Sequence, residues 1–222
     1  MKYFFFILVI AAVAVATVLI GKSISRSYGR SASTKMLWYG RDREYYIYEM
    51  LASAFPRKNI FRNLCFPVIK GQEKLWTEVD IVCVTHGGIV VIEVKGAKGL
   101  IDNPETGDWT QRHRDKILTF QNPHEQNHGH VIAVENALKR AGIMKLPIYN
   151  VVVFTEPGVK FRKQYKWLMR PEQIVDFVGE LDDRFAMSHK DIKNVDAALE
   201  KYKKQHKPTA AKRRAAENRT QR

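Results

Sequence analysis

Two apolar runs separated by a short glycine turn constrain the fold of this chain more than any other feature. Residues 76–85 and 89–95 are rich in valine and isoleucine, and the sequence His-Gly-Gly at 86–88 lies between them. β-Branched residues favour strands, and adjacent glycines favour a tight reversal of the backbone. The pattern therefore predicts a β-hairpin of two antiparallel strands.

The neighbouring segments extend this hairpin into a mixed sheet. Residues 60–69 form a further strand-like run, so three consecutive antiparallel strands are expected. Pro123 can open a helix that reaches about Ala141, and Gly142 stands where that helix should end. Its apolar stripe consists of Val131, Val134, Ala137 and Leu138. The apolar run 148–154 is typical of a strand covered on both faces, and the helix before it predicts a crossover to a returning strand.

Helices are also expected at both ends of this unit. Residues 40–55 have apolar residues at helical spacing and are followed by Pro56, which cannot continue a helix. The expected stripe is Tyr45, Tyr48, Met50 and Leu51. Residues 96–109 are rich in Asp, Asn, Gly and Pro and are expected to form a loop, and two more helices are expected at about 171–181 and 189–202. The prediction is an α/β fold with the order α-β-β-β-α-β and a mixed central sheet.

Three charged residues interrupt the apolar hairpin. Asp80 lies in its first strand, and Glu93 and Lys95 lie in its second. Because side chains alternate between the faces of a strand, Glu93 and Lys95 project on the same side. A charge among β-branched residues costs several kcal/mol unless a partner or a metal compensates it. The hairpin register that would bring the two acids together is an assumption at this stage.

Two carboxylates near backbone carbonyls form a hard oxygen site of the kind that suits Mg²⁺. We expect Asp80, Glu93 and the backbone of Val94 to bind Mg²⁺ or Mn²⁺. Lys95 would then orient an attacking water or stabilise negative charge that develops on a phosphate. The alternative is a plain ion-pair cluster at a strand end, without chemistry.

This ordered set of residues resembles the PD-(D/E)xK nuclease superfamily, with Val79 in place of the proline. The pattern is more similar to the nuclease-related domain (NERD) family over residues 38–155. The matching segments are residues 40–44, 77–80 and 93–95, followed by Trp109 and by Asn122-Pro123 with Gln126. The resemblance implies a restriction-endonuclease-like fold and a Mg²⁺-dependent nuclease activity.

The resemblance also implies roles for individual residues. Asp80 and Glu93 match the metal-binding carboxylates, and Lys95 matches the catalytic lysine. Glu44 matches a helical acid that helps to hold a metal or water, although a solvated helix acid is an equally good interpretation. Gln126 matches a polar residue that positions the lysine or a phosphate. Gly96 stands where asparagine is commoner in the family.

A cluster of histidines around the second helix, His113, His124, His128 and His130, could suggest a different metal site. His124 and His128 are four residues apart and would share one face of the helix that begins at Pro123. No cysteine accompanies them, and the sequence has no H-E-x-x-H motif. Solvated or phosphate-facing histidines are therefore favoured over zinc ligands.

The N-terminal segment predicts a membrane anchor. Residues 3–20 contain no charged residue and approach the ~20 apolar residues that a spanning helix needs. A cleaved signal peptide is the alternative, but the apolar run is longer than such peptides usually have. Lys22, Arg26 and Arg30 follow the run, so the rest of the chain is expected in the cytoplasm, as a single-pass protein of the inner or plasma membrane. Residues 21–37 would form a linker.

The C-terminal tail is strongly basic in a chain of net charge +14. Residues 203–222 follow the expected helices of 156–202 and are expected to be disordered. Their cations, Lys212, Arg213 and Arg214 among them, could bind nucleic acid or anionic lipid, and nucleic acid, DNA in particular, is favoured. The leading hypothesis is a membrane-anchored DNA nuclease. The alternatives are a membrane-tethered nucleic-acid-binding or scaffolding module without catalysis, and an envelope interaction protein without a nucleic-acid role.

Overall fold

A computed structural model of the chain describes residues 43–71, 73–184 and 186–203. Four α-helices and nine strands occur in these ranges. The helices are α1 (Arg43–Ala54), α2 (Pro123–Arg140), α3 (Pro171–Asp182) and α4 (His189–Glu200). The strands are β1 (Ile60–Lys70), β2 (Glu73–Thr85), β3 (Gly88–Lys95), β4 (Leu100–Asp102), β5 (Trp109–His113), β6 (Lys116–Phe120), β7 (Ile148–Phe154), β8 (Lys160–Phe161) and β9 (Leu168–Met169).

The larger sheet has the strand order β1-β2-β3-β7-β9. The first three strands are antiparallel neighbours, and β7 lies parallel to β3 because α2 carries the chain back across the sheet. The mixed α/β architecture predicted from the sequence is thus confirmed. The observed β7 spans the same residues, 148–154, as the predicted strand.

A second sheet lies where the sequence analysis predicted only a loop. Its order is β6-β5-β4-β8. The loop prediction for residues 96–109 was wrong in part, because β4 lies within that segment and Trp109 begins β5. These strands have two to five residues and carry polar side chains, so they produce no apolar run. Trp109 is fully buried and stacks on Phe154 of the larger sheet, with ring centroids 6.1 Å apart.

Helices cover both faces of the larger sheet. On one face α2 and α4 pack against a core that includes Val82 and Val91, and on the other face α1 and α3 pack against the same strands. The stripe predicted for α1 was offset, because the buried residues are Tyr46, Ile47 and Leu51. Tyr45 lies at the edge of this face, where the guanidinium of Arg62 sits 4.9 Å from its ring centroid. A cation over the ring stabilises a half-buried tyrosine.

The position of α2 depends on its caps and on one buried amide. The Asn122 side chain accepts a hydrogen bond from the His124 N–H, and the turn after the helix contains Gly142 at φ +75°. Asn127 is fully buried, and its Nδ2 donates to the carbonyls of Val91 and Val151. Since these carbonyls belong to β3 and β7, the amide holds the helix at one height over the sheet.

The alternation of side chains breaks where β1 and β2 approach the open end of the hairpin. Phe61 and Leu64 both face the α2 core although they are an odd number of positions apart, and the same is true of Val79 and Val82. Asn63, between the two β1 residues, has the left-handed φ of 55°. The break lies beside Asp80, whose side chain consequently leaves the regular pattern of the strand.

No helix within residues 43–71, 73–184 and 186–203 is long and apolar enough to span a bilayer. The predicted anchor at 3–20, the linker at 21–37 and the tail cations Lys212, Arg213 and Arg214 lie outside the described residues.

Candidate active site

The candidate site lies at the open end of the β2–β3 hairpin. The ladder pairs Val82 with Val91 and Ile81 with Ile92. One residue further along this register are Asp80 and Glu93, so the two acids follow the last pair of the ladder. The Asp80 side chain also reaches β3, because the Val94 N–H donates to its Oδ2 at 2.9 Å. The register assumed from the sequence therefore holds at this point.

Glu93 is nearly inaccessible to solvent and contacts two cationic or polar side chains. Its Oε1 accepts a hydrogen bond from the Lys95 Nζ at 2.5 Å, and its side chain is 4% exposed. Its Oε2 lies 3.3 Å from the Nδ1 of His130 on α2. That separation is within ion-pair range, but neither of these two buried atoms has a well-aligned hydrogen bond. Burial raises the pKa of Glu93, but the contacts with His130 and Lys95 outweigh burial and lower it.

For Asp80, the effects that raise the pKa outweigh those that lower it. Burial is the largest cause that raises its pKa, to about 8, and the charges of Glu93 and Glu44 raise it further. The hydrogen bond from Val94 and the charge of Lys95 lower it by less. At neutral pH the protonated form of Asp80 is therefore preferred. The described side chains place more negative charge around this carboxyl than Lys95 can offset.

Lys95 connects the hairpin to α2. Its Nζ donates to the Oε1 of Gln126 at 3.0 Å as well as to Glu93. Its side chain is 26% exposed, whereas that of Glu93 is 4% exposed, so solvent reaches the lysine more readily than the buried carboxylate. Two acceptors thus hold the ammonium between Glu93 on β3 and Gln126 on α2.

Glu44 lies near the site, where its charge raises the pKa of Asp80, and it contacts a residue that the sequence analysis did not select. The Nδ2 of Asn63 donates to the Oε2 of Glu44 and to the Oε1 of Glu78, each at 2.9 Å. Asparagine is uncommon inside a strand and tolerates a positive φ, so its presence in the apolar run 60–69 is the one available signal. His130 was noted as one of four clustered histidines, but its contact with Glu93 was not predicted because that contact depends on the packing of α2.

Gly96 leaves room for an arginine. A Cβ at this position would overlap the guanidinium of Arg43, which binds Glu156 at 2.9 Å. The absence of a side chain at this departure from the family pattern lets the flexible end of Arg43 lie over the backbone.

The residues predicted to bind a metal have a suitable donor set. Asp80 and Glu93 supply carboxylates, and Val94 between Glu93 and Lys95 supplies a backbone carbonyl. Magnesium is commonly held by one or two carboxylates together with substrate phosphate and water. The raised pKa of Asp80 and the Glu93 Oε2 without an aligned hydrogen bond are both features that a divalent cation would compensate. Within the described ranges no group of three or more His, Cys, Asp or Glu side chains is arranged to hold a metal.

His124 belongs to an aromatic stack. Its ring lies on Trp167 with centroids 3.9 Å apart and planes inclined by 13°. Burial lowers its pKa, and the nearby charge of His128 lowers it further.

Comparisons with known proteins identify the family of the chain. The model of the family described as nuclease-related domain (NERD) matches residues 39–155, which include Asp80, Glu93, Lys95 and Gln126. An uncharacterized protein of Bacillus anthracis is 28% identical over 119 residues. The aligned region covers 53% of this chain and 53% of that protein, so the match spans about half the length of this relative. No solved structure matches the chain significantly.

Proposed function

Since this chain belongs to the nuclease-related domain (NERD) family, we propose that it is a metal-dependent nuclease that hydrolyses phosphodiester bonds in DNA. One observation carries the proposal. Asp80 and Glu93 follow the last pair of the β2–β3 ladder, and the Lys95 amine is held between Glu93 and Gln126. We further propose that residues 38–155 form a restriction-endonuclease-like core. The support is the α-β-β-β-α-β order of α1, β1–β3, α2 and β7, into which β4–β6 are inserted before α2.

Asp80, Glu93 and the Val94 carbonyl would hold Mg²⁺ or Mn²⁺. Such an ion, when bound, polarises a phosphoryl oxygen and lowers the pKa of a coordinated water. The chain supplies the rest of the chemistry. The Val94 N–H fixes the orientation of Asp80 at 2.9 Å, and His130 faces the second oxygen of Glu93 at 3.3 Å. Both carboxylates are therefore oriented in advance by protein contacts.

Lys95 is the residue that we assign to the reacting phosphate. Its amine is held by two acceptors and remains partly accessible, so it can approach an incoming nucleophile or a phosphoryl oxygen. A fixed cation stabilises charge that develops in the transition state without a cost of reorganisation. Gln126 positions the amine, and Glu44 adds negative potential near Asp80.

The remaining parts of the proposal concern residues outside the described ranges. We propose that residues 3–20 anchor the protein in the inner or plasma membrane, with residues 21–37 as the linker and the nuclease domain in the cytoplasm. The support is the uncharged apolar run and the cations after it. Lys212, Arg213 and Arg214 in the tail would contact DNA phosphates.

The test uses the full chain with plasmid, linear duplex and single-stranded DNA, in Mg²⁺, in Mn²⁺ and in EDTA. We expect metal-dependent cleavage that falls by roughly 10²- to 10³-fold in Lys95→Ala, because the variant lacks a charge-stabilising group. The matched control is Lys139→Ala, which removes a half-exposed lysine near the other end of α2. Cleavage by Lys95→Ala at the wild-type rate would contradict the catalytic assignment.

The same experiment separates the proposal from its main alternative, a nucleic-acid-binding or scaffolding module without turnover. Wild-type protein that binds DNA but cleaves none of the substrates in either metal would favour the alternative. The basic composition of the chain predicts DNA binding by a nuclease and by a binding module alike, so only turnover distinguishes these two functions.

A further inference from the structure

A short basic loop borders the candidate site and has no role in the proposed chemistry. We define the basic loop as residues 160–167, from β8 to the residue before β9. It carries four exposed cations and no acidic residue: Lys160, Arg162, Lys163 and Lys166. Exposed lysines in a loop usually serve only solubility, so the charge alone indicates no ligand. The way in which the backbone of this loop is held provides the further argument.

A fully buried asparagine holds the middle of the basic loop. The Nδ2 of Asn103 donates to the Lys163 carbonyl at 2.8 Å, and its Oδ1 accepts from the Lys163 N–H at 3.0 Å. The Tyr165 hydroxyl donates to the Asn103 carbonyl at 3.1 Å. Burying an amide is costly unless its hydrogen bonds are made, and here they are made to the backbone of a polar surface loop. The loop is thereby kept in one conformation.

Aromatic stacking holds the other end of the basic loop. Trp167 stacks on Tyr165 with centroids 4.7 Å apart and planes inclined by 7°, and its ring also stacks on His124. His124 lies in the first turn of α2, two residues before Gln126. The backbone at this end of the loop is therefore held next to the helix turn that contains Gln126, which contacts Lys95.

Backbone hydrogen bonds also connect Thr155, before the basic loop, and Lys160, its first residue, to the end of β3 and the turn after it. The Thr155 N–H donates to the Lys95 carbonyl at 3.0 Å, and the Lys160 N–H donates to the Gly99 carbonyl at 2.8 Å. The segment that leads into the basic loop is thus attached to the end of β3 that carries Lys95.

From this geometry, and on the basis of the proposed function, we propose that the basic loop binds the sugar-phosphate backbone of DNA next to the scissile bond, with Lys163 and Lys166 as phosphate contacts. A loop whose backbone is held in one conformation loses little backbone freedom on binding, which favours affinity. Anionic lipid is the less suitable partner. The rings of Tyr165 and Trp167 stack within the protein, so they are engaged before any bilayer could receive them.

The test measures DNA binding by the full chain without metal, so that no turnover is required. All proteins carry Lys212→Ala, Arg213→Ala and Arg214→Ala, which prevents the tail from masking the effect. The test variant is Lys163→Gln/Lys166→Gln. The matched control is Lys190→Gln/Lys193→Gln, which removes two exposed lysines from α4. Fluorescence anisotropy of labelled duplex DNA is followed from about 0.05 to 0.3 M NaCl.

Loss of two phosphate contacts should reduce the slope of log K against log salt by about 1.8 and weaken binding by roughly 30-fold at about 0.15 M salt. The control should retain the slope and affinity of its parent. An unchanged affinity in the test variant, or an equal loss in the control, overturns the assignment. A test variant that loses binding to anionic vesicles but keeps its binding to DNA also overturns the assignment.

Cleavage assays keep this result separate from the proposed function. A 30-fold loss of DNA binding in a protein that never cleaves DNA supports the loop assignment while the nuclease proposal fails. Metal-dependent cleavage combined with unchanged DNA binding by Lys163→Gln/Lys166→Gln supports the nuclease proposal and overturns the loop assignment.

Discussion

The substitution Asp80→Asn should stabilise the metal-free protein at alkaline pH while abolishing metal binding. The new amide side chain would keep an oxygen that accepts the Val94 N–H, so the substitution removes charge and little else. The ionised Asp80 carboxylate is unfavourable in the fold because it is buried and lies near Glu93 and Glu44. A buried charge that binds a functional ligand is commonly a cost to stability in the absence of that ligand.

The magnitude follows from the pKa of Asp80, which rises from 3.8 to about 8 on folding. Each pH unit across this interval is worth about 1.4 kcal/mol, so the ionised carboxylate lowers the free energy of unfolding by at most about 6 kcal/mol. That is a large part of the ~5 to 15 kcal/mol that stabilises a typical domain.

The sign of the pH dependence follows from the direction of the shift. A carboxyl with a raised pKa in the fold binds its proton more tightly in the folded than in the unfolded chain. The stabilisation of the fold that this proton binding contributes is fully present below the unfolded pKa of 3.8. It is lost as pH rises to about 8. The wild type should therefore lose stability relative to Asp80→Asn across this window and reach a constant deficit above it.

The assay is urea unfolding followed by circular dichroism at about pH 5, 7 and 9, first in EDTA and then in excess Mg²⁺ or Mn²⁺. Metal at about 100 times its dissociation constant should stabilise the wild type by about 2.7 kcal/mol and leave Asp80→Asn unchanged. The control is Asp191→Asn, because a hydrogen bond from Ser188 lowers the pKa of Asp191 and its substitution should destabilise the protein at neutral pH. A metal-free Asp80→Asn that is no more stable than the wild type at pH 9 would refute the reasoning.

Two other predictions concern the scaffold. Gly87→Ala should destabilise the protein by about 3 kcal/mol or more, because the new Cβ would overlap the Leu181 carbonyl of α3. Gly129→Ala in α2 should instead stabilise the protein by about 0.5 to 1 kcal/mol, because its Cβ meets open space. Thermal unfolding of both variants checks the pair, and a similar melting temperature for the two would contradict the packing at Gly87. Asn127→Ala should cost about 2 to 4 kcal/mol, because it leaves the carbonyls of Val91 and Val151 without their side-chain donor. Denaturant unfolding measures this loss, and a cost below about 0.5 kcal/mol would show that the amide does not hold α2 on the sheet.

Strong local patterns were reliable in this chain. The strands of the larger sheet that apolar runs predicted lie where they were expected, and α2 begins at the predicted proline. The small strands β4, β8 and β9 were missed because they have two or three residues each, which is too short for any periodicity. The stripe of α1 was offset because tyrosine can be half-buried under an arginine as well as fully buried in a core.

The candidate site shows the same division. The charges within the apolar hairpin selected Asp80, Glu93 and Lys95, and spacing alone predicted that Glu93 and Lys95 share a face. The family resemblance added Glu44 and Gln126. The bridge from Asn63 to Glu44 and the contact of His130 with Glu93 were not predictable, because they join residues 19 and 37 positions apart. Such contacts depend on how separate elements pack, which no window of the sequence records.

By itself, the sequence determined the identity of the longer strands, the ends of α2 and the presence of three charges within an apolar hairpin. These are local properties, set by side-chain branching, proline, glycine and the two-residue period of a strand. The tertiary structure alone decided which charges meet. The hairpin register aligns Asp80 with Glu93, and the packing of α2 brings Gln126 and His130 to them. Electrostatic energy depends on distance and burial, and both are properties of the packed chain.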